Sequence, residues 1–436
     1  MRTGPTWALV QWRSGALRHT VQLREGRRGP WRTCATVAAV AYCVEGLQPG
    51  RVYGIRVAPA DDAAARPSWR EVLVRTAPEE PLDVAGLRLW PPRPLATSPP
   101  TAMTWPALEA YHGRLYVMEA YGGELWLSRV RPDDLKVLWR TQIQPPLDER
   151  GVCYQAPDLC VDADTLWICW EMRPAAAGAP PEATRARLMS YDLSHDTDQA
   201  PGGQVSAPLQ LEPRVRGRGT ASPTVAVYQN ELWLCWTERW RAGDTDRAQV
   251  LTGVYNPALG RIADPVAWTD CPSQNPERPS LACFGSDMVL LFTDASASAA
   301  GTETLMMARF DGGRMFDVAT LRQLGRNRQA RGVQLYDRFY YVYCSDAAFL
   351  TGGGQYLGVA LGCMAAPAPG GMREALAAGL PLMNDMKLNL GPDVTAVGDE
   401  LFVAFGKWEE AAVAEPRGWG TWIARVGWAG ESQPGF

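Results

Sequence analysis

The chain has 436 residues, 46% of them hydrophobic and 21% charged, which is the composition of a globular protein and a length beyond one ordinary domain. A net charge of −4 with a pI near 5.6 carries no nucleic-acid-binding footprint. No apolar stretch approaches the roughly 18–20 residues needed to span a bilayer, and the opening MRTGPTWALVQW lacks the apolar core and cleavage site of a secretory leader.

In chain order, the first 78 residues read as short strands: TWALVQW, HTVQLREG, WRTCAT, AYCVEGL, VYGIRVAPA and REVLVRTAP. Val10 and Trp12 flank polar Gln11, and Val21 and Leu23 flank Gln22, the period-two pattern of half-buried antiparallel strands. Pro49-Gly50 supplies a turn before the strand that begins near Tyr53. Trp12, with Leu47, Pro49, Gly50 and Tyr53 in the spacing L-x-P-G-x-x-Y, resembles the fibronectin type III family. The resemblance implies a β-sandwich over residues 1–78, with Trp12 in its core and the Tyr53 hydroxyl capping backbone across a bend. Little chain precedes the Trp12 strand, so a short first strand is expected. Modules of this kind serve as spacers or docking units, and the fold by itself assigns no activity.

Residues 79–105 are proline-rich and read as a stiff linker. Within them VAGLRLW has strand character and is expected to add an outer strand to the last of the repeats that follow, closing a ring without exposed sheet edges.

From Pro106 onward one phrase recurs. APDLCVDADTLWICWEMR and SPTVAVYQNELWLCWTER are its clearest copies, each a proline, a β-rich run, a tight polar turn and a second run rich in tryptophan. The proline anchors are 106, 157, 223, 279 and 392, and a degenerate copy, ARGVQLYDRFYYVYCSD, aligns Gly332 with the missing proline. Six strand-only copies at near-even spacing mark the blades of a β-propeller over residues 106–436.

The second runs (LWICW, LWLCW, MVLLF, FYYVY and LFVAF) are apolar at nearly every position, as in strands covered on both faces by neighbouring blades. Trp167, Trp233 and Phe402 are expected at equivalent core positions. A third strand follows in RLMSYDL, VLTGVYN, TLMMARFD, YLGVALG and TWIARVG. Cys160, Cys169, Cys235, Cys283 and Cys344 fall inside strands, where cysteine packs as a small hydrophobe. Cys34 and Cys43 are the pair to examine for a disulfide.

The repeat pattern resembles the six-bladed propellers of the sialidase-like and arabinanase-like glycosidases. The resemblance lies in architecture: the S-x-D-x-G-x-T-W box of sialidases is absent, and FDGGRMFD only echoes it. ERPSL around Arg278 is similar to the R-I-P motif that carries a carboxylate-binding arginine, without its middle residue. The expected fold is therefore all-β, a fibronectin type III sandwich followed by a six-bladed propeller.

Blade starts and the long connections at 172–186, 237–248, 293–304, 345–355 and 406–420 are expected to share one mouth, where loops on a rigid scaffold carry sites. Ligand-binding candidates are Tyr121, Glu171, Glu238, Trp240, Arg278, Asp294, Arg331, Asp346 and Trp408. Glycoside hydrolysis needs one protonated and one ionised carboxyl about 5–9 Å apart. For that chemistry the candidates are Asp158, Glu171, Glu238, Asp294, Asp346 and Asp393, with Glu409 beside them. The plainer reading of these acids is pairing with arginines such as Arg173 and Arg239.

His19, His112 and His195 lie in separate segments and suggest no zinc site, and no nucleophile elbow, Walker loop or dinucleotide fingerprint occurs. No cofactor is expected, and a calcium ion held by aspartates and carbonyls at the mouth has no loop signature. The function expected is non-catalytic binding of a surface glycan or a protein partner, within a larger assembly such as a phage tail or virion surface. The chain is placed there or exported by a non-classical route, and otherwise in the cytoplasm. The alternatives are a glycoside hydrolase and a purely structural scaffold subunit.

Overall fold

The computed structural model describes residues 2–3, 8–12, 16, 18–37, 41–44, 47–48, 50–60, 69–76, 82–84, 86–95, 103–121, 123–143, 151–176, 178–267, 276–294, 303–310, 315–322, 325–346, 357–368, 371–374, 379–383, 388–409 and 418–429. It is almost wholly β-strand, with one short 3-10 turn at Pro181–Ala183. The chain divides into a unit built mainly from residues 1–91 and a larger one built from residues 92–410 and 416–428.

In the first unit, one sheet has the order Arg2–Thr3, Ala8–Gln11, Ala41–Val44, and a second the order Arg32–Val37, His19–Glu25, Val52–Pro59, Arg70–Arg75. Alternation puts Ala8, Val10 and Val44 from one sheet and Val21, Leu23, Ile55, Val57 and Val74 from the other into a single apolar cluster. Trp12 packs against that cluster and meets His19 edge-on, ring centroids 5.3 Å apart. The Tyr53 hydroxyl accepts the Gln48 backbone N–H at 2.8 Å, five residues upstream. Leu82–Val84 and Leu87–Leu89 form a small hairpin. The Cys43 side chain lies outside the described residues, and Cys34 is free.

The second unit is a six-bladed propeller. Its innermost strands are Trp105–Tyr111, Val152–Asp162, Gly219–Tyr228, Pro276–Phe284, Asn327–Leu335 and Asn389–Val397, one per blade. Each neighbours the next, and the last returns to the first, so the ring closes. Each blade runs outward as an antiparallel meander, and Arg93–Pro94 pairs with the outer strand of blade 6 (Arg93 opposite Ile423, Pro94 opposite Trp422).

The second strands are buried almost end to end, as a strand covered by a blade on each side must be. Trp170, Trp236 and Phe405 are fully buried at equivalent positions. Trp167 and Trp233, expected in the core, are only half-buried, whereas Phe402 is fully enclosed. Trp167 and Trp233 stand three residues nearer the turn, on the opposite face of their strands from Trp170 and Trp236, and pack against different clusters. Cys169, Cys235 and Cys344 are free and buried in these strands.

The repeat anchor proves to be a backbone device. In blades 2 to 6 the inner strand carries a bulge, at Ala156-Pro157, Ser222-Pro223, Arg278-Pro279, Gln329-Ala330 and Gly391-Pro392. The first residue of each bulge is left-handed, with φ of 47, 46, 51, 60 and 54° in turn. A bulge of this kind bends its strand and re-aims the flanking side chains. Blade 1 pairs straight through Pro106, opposite Glu119. Ala330, not Gly332, therefore holds the anchor position of blade 5. Gly332 is small for another reason: a Cβ there would stand 2.2 Å from the Phe339 ring.

The segment 237–248 is likewise no loop. Glu231–Ala242 and Thr245–Asn256 pair out to Ala242 opposite Thr245 in a long hairpin.

Candidate functional site

The five bulges and the outgoing ends of two second strands surround a cavity that opens to solvent at one mouth of the ring. Its rim includes Ala156, Ser222, Arg278, Gln329 and Gly391, the five left-handed residues. Four arginines enter it: Arg173 from blade 2, Arg239 from blade 3, Arg278 from blade 4 and Arg331 from blade 5.

Their partners differ. Arg173 pairs with Glu171 at 3.1 Å, and Arg239 approaches Glu277 at 3.6 Å. Arg331 reaches Asp158 (Nε to Oδ1, 3.4 Å) and donates to the Pro279 carbonyl at 3.2 Å. Arg278 has no hydrogen bond or ion pair among the described residues, and burial pulls its guanidinium below its ordinary pKa. Its companions at the left-handed position are alanine, serine, glutamine and glycine. An arginine there bears the cost of a left-handed Cβ without a local hydrogen bond in return, and such outliers mark sites.

Glu171 is the one carboxylate on the cavity wall among the described residues. It is 1% exposed and accepts from the Ser222 N–H at 2.8 Å, from Gln155 at 2.5 Å and from Arg173. Burial opposes its charge, but Arg239, Arg173 and the Ser222 N–H together hold its pKa below the ordinary value. Glu171 is thus a fixed anion that hangs the blade 3 bulge on blade 2.

Asp158 and Asp393 sit one residue after their anchors and clamp neighbouring inner strands. Asp158 Oδ2 accepts the Val225 N–H at 2.9 Å and the Thr224 hydroxyl. Asp393 Oδ2 accepts the Leu108 N–H at 2.6 Å, and its Oδ1 accepts the Val394 N–H at 2.8 Å. Burial pushes the Asp158 carboxyl up against the pull of Arg331. Burial and the charge of Asp158 push Asp393 up to about 7. Glu109, which accepts from the Ala110 N–H at 2.7 Å and the Thr395 hydroxyl at 3.2 Å, is pushed up to about 8 by loss of solvation. The sequence pattern did not single out Glu109; its place one residue past Leu108, whose N–H Asp393 holds, becomes visible only when the ring closes.

The remaining candidates stand apart from the cavity wall. Glu238 accepts the Val215 N–H at 3.0 Å and pairs with Arg218 at 2.6 Å. Trp240 has one face covered by that same arginine, 3.8 Å above the ring. Asp346 is held by Arg326 through both its backbone N–H and its Nε, at 2.6 and 2.7 Å. Trp408 packs edge-on to Trp419, centroids 5.8 Å apart, in an apolar cluster with Leu390 and Trp105. Asp294 ends the second strand of blade 4, opposite Thr304. The side chains of Tyr121 and Glu409 lie outside the described residues. Of the expected site residues, the structure brings Glu171, Arg278 and Arg331 together. Arg173 and Arg239, read from sequence only as neutralising partners, join them.

Among the described residues, no group of three or more His, Cys, Asp or Glu side chains is arranged to hold a metal ion, and no helix is long and apolar enough to cross a membrane. No protein-family profile matches the chain, and no curated protein matches its sequence. Solved structures share the fold. A Trypanosoma rangeli sialidase aligns with TM-score 0.57 and 8% identity, covering 78% of this chain. This chain spans only 58% of that sialidase's length. The phage phi92 endosialidase aligns with TM-score 0.54 and 10% identity, over 86% of this chain and 73% of that one. An exo-1,5-α-L-arabinanase from a bovine ruminal metagenomic library is also similar, with TM-score 0.44 and 11% identity over 64% of this chain and 99% of its own. At these identities the likeness speaks for the propeller alone.

Proposed function

We propose that the propeller binds an acidic glycan without cleaving it, seating a sugar carboxylate on Arg278. The observation that carries this reading is the left-handed Arg278, unpaired among the described residues, in a cavity that three further arginines enter. Arginine's planar fork matches a carboxylate with two parallel hydrogen bonds, and a desolvated guanidinium without a partner gains most from one. Sialic acid is the first ligand to try, because similar folds include a sialidase solved with sialic acid and a phage endosialidase.

The non-catalytic part rests on the acids. Hydrolysis would draw on Glu171 as the ionised carboxyl and Asp393 as the protonated one. Yet both Asp393 oxygens already take backbone N–H groups, and Glu171 is tied to three partners. Neither is free to meet a glycosidic bond.

The first unit is read as a fibronectin type III module acting as spacer or docking unit. Its strand order and the Tyr53–Gln48 hydrogen bond support that reading. Membership of a virion or tail assembly is proposed on the likeness to a phage enzyme.

The test is calorimetric titration with N-acetylneuraminic acid, glucuronic acid and neutral N-acetylglucosamine, alongside chromogenic glycosides. Binding confined to the acidic sugars and abolished by Arg278→Ala is expected. Turnover of a glycoside that Glu171→Gln or Asp393→Asn removes would overturn the non-catalytic reading.

A further inference from the structure

We propose that anion binding at the mouth is coupled to proton uptake by the carboxyls on the propeller axis, with Asp393 and Glu109 as the groups that titrate. This rests on the reading of the mouth as an anion site and adds how that site responds to pH.

The geometry that carries it is the double allegiance of Arg331. Its side chain lines the cavity, and the same guanidinium meets Asp158 of blade 2, the blade opposite its own in a ring of six. Any ligand anion that recruits Arg331 therefore competes with, and is felt by, the carboxyls around the axis.

Titratable and charged groups among the described residues lie on the strands around Asp393. Glu109 comes from the inner strand of blade 1, and Asp158 and the Cys160 thiol from that of blade 2. Arg331 comes from the inner strand of blade 5, whose Arg328 is already paired with Glu303. The Cys344 thiol, on the second strand of blade 5, donates to the Asn389 carbonyl. Lys407, on the second strand of blade 6, places its Nζ over the Trp422 ring, 4.1 Å from its centroid. Arg331 thus meets Asp158 directly and acts on Asp393 by charge, while Glu109 faces the two aspartates. With Asp158, Asp393 and Glu109 all ionised, this cluster carries two more negative charges than it does with Asp393 and Glu109 protonated.

Burial keeps both protons on into the neutral range, at about 7 for Asp393 and about 8 for Glu109. An arriving carboxylate adds negative charge above them and favours the protonated forms. By linkage, the protonated forms favour the ligand by the same factor.

The experiment measures affinity of the intact chain for N-acetylneuraminic acid and for glucuronic acid at pH 6, 7.5 and 9. Calorimetry in two buffers of different ionisation heat counts the protons taken up. Both sugar carboxylates stay ionised throughout, so the ligand contributes no slope. Affinity is expected to fall about tenfold or more between pH 6 and 9, as two like charges appear at short range in a medium of intermediate dielectric. The double variant Asp393→Asn, Glu109→Gln should bind equally at all three pH values and take up no proton. Glu109→Gln alone should flatten only the upper half of the profile, which keeps the test sound if the double variant does not fold. Binding with the same slope in wild type and Glu109→Gln, or with no proton uptake, overturns the coupling and leaves the anion site standing. Failure of both sugars to bind at every pH overturns the anion site and the coupling with it.

Discussion

Glu171 of blade 2 holds the backbone N–H of Ser222 in blade 3 at 2.8 Å, so a buried carboxylate fixes the left-handed bulge of its neighbour. Truncation removes the acceptor from Ser222 and Gln155 and leaves Arg173 without its anion. Glu171→Ala should lower unfolding stability by about 3 kcal/mol, as when one partner of a buried pair is lost. Because the folded state lowers this carboxyl's pKa, its contribution is present above about pH 4.3 and is lost as pH falls through the lower folded value. Urea denaturation at pH 7 and pH 3 checks both; a variant as stable as wild type at pH 7 would refute the clamp.

Trp236 and Trp233 separate core from flank within one strand. Trp236 is fully buried and Trp233 half-buried. Trp236→Ala should cost about 3–5 kcal/mol, and Trp233→Ala clearly less. Equal costs in chemical denaturation would show that burial along this strand is misread.

Arg278 should show stability and binding pulling apart. Arg278→Gly removes a Cβ from φ 51° and should raise stability by about 1 kcal/mol while acidic-sugar binding disappears. A thermal melt and a titration on the same sample decide it. A destabilised variant would mean that the arginine supports the fold.

Asp393 and Glu109 act in the alkaline direction. Their folded values, about 7 and about 8, lie above the unfolded carboxylate range near 4. Their contribution is complete below that range and is lost as pH rises through the folded values. The ligand-free melting temperature should therefore decline from pH 5.5 to 9, and Glu109→Gln should shallow the decline. A flat wild-type profile would count against protonated carboxyls on the axis.

Much of the propeller was legible because its signals are local and repeated. A strand covered on both faces must be apolar throughout, and a two-residue turn must be polar, so the copies share one pattern. The meaning of the anchor was not legible. Pro157, Pro223, Pro279 and Pro392 mark the second residue of a bulge, and a bulge is a relation between two strands that no single strand spells out. For the same reason Gly332, two residues from Ala330, passed as the anchor of blade 5. Arg278 and Arg331 were found because they flank anchor positions. Trp240 and Trp408 looked like free loop aromatics because nothing in their own segments announces Arg218 or Trp419, which cover them.

The Arg93–Pro94 strand also orders events in time. Its partner, Ile423 and Trp422, is made some 330 residues later. While blades 1 to 5 emerge, they can stack one upon another as they are made. Blade 6 must wait for its outer strand to be made, and until then the nascent arc has two raw flanks, at blade 1 and at whichever blade was made last. Synthesis of that outer strand is the step that removes them, so the newborn protein is most vulnerable to sticking to its neighbours just before it.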